Sequence, residues 1–293
     1  MTAYAKIVKQ KRKNQKKQKR KTRPYTNLIG QLRSWMRPVN SVFQWLNNYT
    51  LDADNALKRR VFIDRGGSVL FVAHLDTVHP PKIRGVHGYK ICAQGLDDRL
   101  GCMLAYNLSE ELGADLLLTD NEESCASTAY EHTAKDYNWI VEFDREGTDV
   151  VTYGLDNSEF RNALGKYWTI GIGAYSDICT LESKACAFNL GCGGYKSHKP
   201  SAYVDLRETA EQITLFHEFY AEYKDTKFVR TPGPRTFLGG FRFPDFRCSD
   251  DFWDDQEKMC ELCGLSVGQV IHNDYCVCAE CFQTLYDDYL FVR

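Results

Sequence analysis

The sequence predicts an α/β protein with three layers, α/β/α, around a mixed, mostly parallel central sheet, and a small cysteine-rich module after it. Three observations carry this. Short apolar runs alternate with stretches of helical period, the pattern of strands joined by crossover helices. One run, Val69-Leu70-Phe71-Val72-Ala73, is apolar on both faces, as a central buried strand must be. Five of the 12 cysteines crowd into residues 260–281, beyond a proline- and glycine-rich stretch.

Taken in order, Leu28 to Trp45 reads as helical: Leu28, Leu32, Trp35 and Met36 follow a 3.6-residue period, with Pro38 interrupting. Val61-Phe62-Ile63 and Val69 to Ala73 read as strands, and Gly66-Gly67 between them is a hairpin signal. Asp98 to Leu112 is a helix with Leu100, Met103, Leu104 and Leu108 on one face. Leu116-Leu117-Leu118 is a buried strand, Cys125 to Thr133 a helix, and Trp139 to Phe143 another strand. Val150 to Thr152, Tyr167 to Ile172 and Ala187 to Leu190 are further strand candidates. Asp205 to Tyr223 is a long helix opened by a capping-box-like Asp205 and Glu208, with Leu206, Ala210, Ile213, Phe216 and Tyr220 as its apolar stripe.

Composition bounds the class. Hydrophobic residues are 43% of 293 and aromatics 13%, enough for a real core. No apolar run approaches the roughly 18 residues of a membrane span, so no membrane role is expected. The N-terminus is charged from Lys6 and lacks the apolar core of a secretory signal. The expectation is a cytoplasmic protein with reduced thiols. A net charge of -2 hides an asymmetry: residues 1–25 hold 11 basic residues and no acid, leaving 26 basic residues against 39 acids elsewhere. That arm should be disordered alone. It either contacts a polyanion such as RNA or DNA, or remains a solvated tail.

The polar residues at the strand ends form an ordered set. His74 and Asp76 close the central strand, and the two-residue period puts them on one side. One can hold a metal while the other steadies the imidazole. Asp97-Asp98 precede a helix, Asp120-Asn121-Glu122-Glu123 follow one strand, Asp144 follows another, and His198 follows Gly193-Gly194. Sites in α/β sheets gather at the carboxyl ends of strands. Histidines with carboxylates suit a borderline cation such as zinc, with Co2+ or Mn2+ as substitutes. Each signal alone also fits a surface histidine, a helix cap or a solvated turn.

His74-Leu75-Asp76-Thr77-Val78, Gly95-Leu96-Asp97-Asp98-Arg99-Leu100-Gly101, Asp120-Asn121-Glu122-Glu123, Phe143-Asp144 and Gly193-Gly194 leading to His198 resemble the motifs of the binuclear zinc exopeptidases, the aminopeptidases and peptidase T-like metallopeptidases. Ser176-Asp177 and Tyr203-Val204-Asp205-Leu206 resemble that family's C-terminal part. The resemblance covers about residues 26–225 and implies two catalytic zinc ions. Asp97 would bridge both ions and be followed by a cis peptide to Asp98. His74 and Asp144 would complete one site, Glu123 and His198 the other. Glu122 would be general base and then acid, and Asp76 would orient His74. The implied substrate is a peptide or small amide, cut by an exopeptidase or, on the same centre, by a deacylase. A non-catalytic scaffold binding nucleic acid or a protein complex is the reading from another class. The segment from Asp144 to His198 is too short for the dimerisation domain of many relatives, so this is a compact catalytic domain. Arg145, His79, Tyr175 and Tyr195 adjoin the motifs as candidate pocket residues.

The resulting organisation is a basic arm, 1–25; a catalytic domain, 26–227; a linker, 228–247; and a zinc-binding module, 248–293. Cys260-x-x-Cys263 and Cys278-x-x-Cys281 have the spacing of one tetrahedral structural zinc, with Cys276 or His272 as substitute ligands. Such a module needs a staple because its core is small.

Overall fold

The computed structural model describes residues 24–173 and 175–231, together with the backbone of 270–272 and 275–277. The arm through Arg23, and Cys260, Cys263, Cys278 and Cys281, lie outside the described residues. Two helices open the domain, α1 (Pro24–Trp35) and α2 (Val39–Trp45), split at Pro38. Proline cannot donate in a helix interior but suits the residue before a first turn. Strands β1 (Thr50–Leu51), β2 (Arg60–Ile63) and β3 (Val69–His74) follow, then β4 (Lys82–His87), β5 (Lys90–Gln94) and helix α3 (Arg99–Leu112). Next come β6 (Asp115–Thr119), a 3₁₀ turn at Thr128–Glu131, β7 (Trp139–Arg145), β8 (Val150–Val151), α4 (Ser158–Leu164) and α5 (Asp177–Thr180). The domain closes with β9 (Cys186–Gly191), β10 (Gly194–Tyr195), β11 (Tyr203–Asp205) and α6 (Leu206–Tyr223). A separate hairpin pairs β12 (Val270–His272) with β13 (Tyr275–Val277).

Seven strands form the main sheet in the order β1-β2-β6-β3-β7-β9-β8. The central four run parallel; β2 and β8 join them antiparallel, and β1 pairs antiparallel outside β2. The fold class is the expected mixed sheet. Alternate residues of β3 serve two cores: Phe71 and Ala73 face one, Leu70 and Val72 the other. The larger core holds Phe71, Trp139, Phe143, Phe216 and Tyr220 in edge-on contacts of 5.2–6.4 Å, beneath α3 and α6. The opposite face is covered more thinly, by Ile178 and Leu181 around α5 and by Ala129 of the 3₁₀ turn. Phe228 is buried against the main core, beside Phe160 and Tyr223.

Three expectations are corrected. β2 and β3 are not a hairpin, because β6 lies between them. Gly66 and Gly67 serve another need: Gly67 passes so close to Gly113-Ala114 that a Cβ would sit 2.8 Å from that backbone, and its N–H donates to Asp115. Cys125 to Thr133 is not an α-helix. Ser127 accepts from Ala129 N, Thr128 Oγ1 accepts from Asp120 N, and Cys125 takes a left-handed φ of 56°. Short polar side chains compete with helical backbone bonds, leaving one 3₁₀ turn. Tyr167 to Ile172 gives only an isolated bridge, Ile170 to Val150. The sequence reading also lacked a second, antiparallel sheet, β10-β11-β5-β4, which carries the Gly194 to His198 segment beside the main sheet's carboxyl edge.

Candidate metal centre

The strand ends bring the polar set together. His74 ends β3 and is fully buried. Its Nε2 lies 3.1 Å from Asp97 Oδ1 and 3.2 Å from Asp144 Oδ1, the latter near the end of the adjacent strand β7. The second oxygen of Asp97 faces His198 Nε2 at 3.2 Å, and His198 Nε2 lies 2.9 Å from Glu123 Oε2. One carboxylate therefore touches two imidazoles through two different oxygens, and each imidazole meets a second acid. The His198 ring is half exposed, while the carboxylates of Asp97, Glu122, Glu123 and Asp144 are each at most 13% exposed.

Local structure fixes these positions. The peptide between Asp97 and Asp98 is cis. Asp98 caps α3, its Oδ1 accepting from Gly101 N at 2.8 Å. Gly101 has no alternative: a Cβ there would lie 1.9 Å from Phe143 O and 2.2 Å from Asp98 Oδ1. Asp76 joins two parts of the site. It faces His74 Nδ1 at 3.3 Å and accepts from Glu122 N at 3.2 Å and Glu123 N at 3.0 Å. Asn121, with a left-handed φ of 64°, turns the chain so that the two glutamates diverge. Glu123 reaches His198, whereas Glu122 Oε2 stops 3.8 Å from His74 Nε2.

No family model matches the chain, and no curated protein matches it. Solved structures with a similar course of the chain include the aminopeptidase PepT of Bacillus cereus, at 9% identity and a TM-score of 0.44 over 67% of this chain and 99% of that one. A tripeptidase of Staphylococcus aureus gives 10% and 0.48 over 68% and 98%. An aminopeptidase of the archaeon Desulfurococcus kamchatkensis gives 11% and 0.47 over 68% and 96%. These likenesses are loose, and the chemistry rests on the residues themselves.

The charge balance is the test of whether cations fit. Among the described residues, the ion pairs of Asp97, Glu122, Glu123 and Asp144 are with histidines. His198 is pushed up to about 11 by its bonds to Asp97 and Glu123. Burial opposes the charged form of His74, but Asp144, Asp76 and Asp97 outweigh it and hold the imidazole well above its ordinary value. Burial pushes Asp144 up to about 8, with Asp97 adding to the effect. Buried carboxylates and imidazoles that favour positive charge have the chemistry to hold a divalent metal. His74, Asp97 and Glu123 present ligand atoms within 4.8 Å of one another, as do His74, Asp98 and Asp144. In the second group Asp144 would be the donor to a metal, because the Asp98 carboxylate is committed to the helix cap and to His74 N.

Of the other candidates, Arg145 and Tyr195 line the cleft beside Asp97 and Asp144, and His79 lines the one beside Glu123 and His198. Each also has a structural partner: Arg145 is forked by Asp149 at 2.6 and 2.8 Å, Tyr195 donates to Glu208 at 2.5 Å, and His79 meets His198 O at 2.9 Å. Glu208 is thus spent on Tyr195 and does not close a capping box; Asp205 caps α6 alone. Sequence reasoning missed Glu142 and Asn189. Both are buried polar residues within otherwise apolar strand runs, and that was the signal available.

Proposed function

We propose that this protein is a metal-dependent hydrolase of peptide bonds, an aminopeptidase-type exopeptidase working with two zinc ions, for which Co2+ or Mn2+ can substitute. One observation carries the reading: Asp97 offers one oxygen to the His74–Asp144 pair and the other to the His198–Glu123 pair. A carboxylate shared in this way would be able to serve two cations at once. His74, Asp97 and Asp144 would hold one ion, and Asp97, Glu123 and His198 the other. When bound, such a pair lowers the pKa of a water and polarises a carbonyl.

Glu122 supplies the proton chemistry. It adjoins the ligands without sharing in either pair, so its carboxylate is available to a water and a leaving group. Burial pushes it up to about 10, and Asp144, Asp177 and Asp97 add to this against His74, so it holds its proton at neutral pH and would become a base only once cations at the neighbouring acids bring it down. Glu122 takes the proton of the attacking water and returns it to the amine nitrogen as the C–N bond breaks. Asp76 keeps His74 Nδ1 engaged so that Nε2 faces the acids, and it fixes the turn that separates Glu122 from Glu123. The flanking cleft, walled by Asp97, Asp144, Arg145 and Tyr195, would receive the substrate.

The test is turnover of a panel of di- and tripeptide amides by the wild type and Glu122→Gln. The expected result is turnover by the wild type and a loss of about 10²–10⁴-fold in the variant at unchanged metal content. Equal rates would remove Glu122 as the base, and absence of turnover across free-amine and acylated peptides would remove the peptidase reading.

A further inference from the structure

We infer that Asn189 is the positioning residue that selects which oxygen of Asp144 faces the metal centre, and that Ser176 and Glu142 fix Asn189 for this task. The inference rests on the metal reading of Asp144 given above and extends it to residues without an assigned role.

The starting point is a break in the sheet. β7 and β9 pair regularly from Trp139↔Cys186 to Glu142↔Asn189, and the next partners are Arg145↔Gly191. Two residues of β7, Phe143 and Asp144, thus oppose one residue of β9, Leu190. Such a bulge re-aims a side chain and strands a ladder group. The stranded group is the N–H of Asp144, and Asn189 Oδ1 accepts from it at 3.0 Å.

That bond sets the rest. With Oδ1 facing an N–H, the amide nitrogen must lie on the other side, where its two hydrogens are shared among three acceptors: Ser176 Oγ at 3.1 Å, Tyr153 Oη at 3.2 Å and Asp144 Oδ2 at 3.4 Å. Ser176 can only accept from Asn189, because its own hydrogen goes to Glu142 Oε2. Glu142 is in turn held by the backbone N–H groups of Asp177 and Ile178, at 3.2 and 3.4 Å. The chain has one consistent direction, and Glu142, Ser176 and Asn189 are all buried. A buried network with every member satisfied is rigid. Its free end is Asp144: Oδ2 is tied to Asn189, and Oδ1 is left facing His74 Nε2 at 3.2 Å. Asn189 therefore grips the same residue at its backbone and at its carboxylate.

Asn189→Asp separates this role from packing. It keeps the shape and the acceptor for Asp144 N but replaces the donor by an oxygen that repels Asp144 Oδ2. Ser176→Ala removes the direction of the chain and leaves Asn189 in place. The experiment is titration of the metal-stripped full chain with Co2+, read by visible absorption, where thiolate-bound cobalt is distinguished by its near-ultraviolet charge-transfer bands. Thermal unfolding of each metal-free protein is measured alongside. The expected result is two non-thiolate ions in the wild type. In Asn189→Asp one of these should weaken about 10–100-fold, with turnover recovered by excess Co2+. A smaller loss is expected in Ser176→Ala, which keeps its metal-free melting temperature. If Asn189→Asp does not fold, Ser176→Ala decides by the same reading. Wild-type cobalt affinity in the folded variants overturns the inference while leaving the metal centre intact. A wild type with no non-thiolate cobalt overturns the metal reading itself, and this inference with it.

Discussion

Asp76 binds the backbone N–H of Glu123 at 3.0 Å with the carboxylate whose other oxygen faces His74 Nδ1 at 3.3 Å. Asp76 thus couples the imidazole at the end of β3, whose Nδ1 lies nearer still to the Asp76 backbone O at 3.1 Å, to the turn that follows β6. The two strands are parallel neighbours, with His74 in register with Thr119, so the coupling spans a single strand spacing.

Asp76→Asn tests that coupling. An amide has one acceptor where Asp76 now accepts two backbone N–H groups, so its NH2 must face a donor. The expected outcome is a fall of about 10–100-fold in metal affinity, with turnover falling in parallel. Calorimetric metal titration with peptide turnover checks it; an unchanged affinity would mean that the turn holds without Asp76.

Gly101→Ala tests the packing beneath the site. The added methyl must displace Phe143 O or the Asp98 carboxylate, and each residue is the direct chain neighbour of an acid of the centre, Asp144 or Asp97. A destabilisation of about 1–3 kcal/mol is expected, read as a shift in the urea midpoint. A wild-type midpoint would show that α3 can move away from β7 without cost.

The acid limb of stability should carry a histidine signature remote from the candidate metal centre. His132 is pushed down to about 4, by burial first and by Arg60 second, and its Nε2 is buried without a hydrogen-bond partner. The folded state then binds fewer protons than the unfolded chain between about pH 6.5 and pH 4. Stability is unaffected above that window and is lost as pH falls through it, by about 3 kcal/mol at the lower end. His132→Phe, packing on Phe62 as the imidazole does at 4.5 Å, should lose this component. Denaturant midpoints from pH 7 to pH 4 compare the two; parallel curves would contradict it.

The sheet and the centre were legible in the sequence for the same reason. Runs such as Val69 to Ala73 and Leu116 to Leu118 are apolar on both faces, so strand ends stand out where the first His or Asp breaks the run. His74 and Asp144 sit at such breaks and Glu123 in the turn after Leu116–Leu118, whereas Asp97 stands before a helix and His198 in a loop, placed by the motif resemblance. The second sheet was not legible because its edge strand β4 is largely exposed and mixes Lys82, Arg84 and His87 with Ile83 and Val86, giving neither period. The hairpin reading of Gly66-Gly67 failed because glycine signals close backbone approach as well as reversal, and here the approach is to the α3–β6 connection. Asn189 and Glu142 were overlooked because a single polar residue in an apolar run does not say which partner satisfies it; the bulge at Asp144 supplies that partner.

Metal content per chain, by elemental analysis of the wild type and Asp97→Ala, tests the central claim most directly. A bridging Asp97 predicts about three ions in the wild type, two at the centre and one at the four-cysteine module, falling to about one in the variant. One ion in both proteins would contradict it: the clustered acids and imidazoles would then hold protons instead of metals, and the hydrolase reading would fall with the centre.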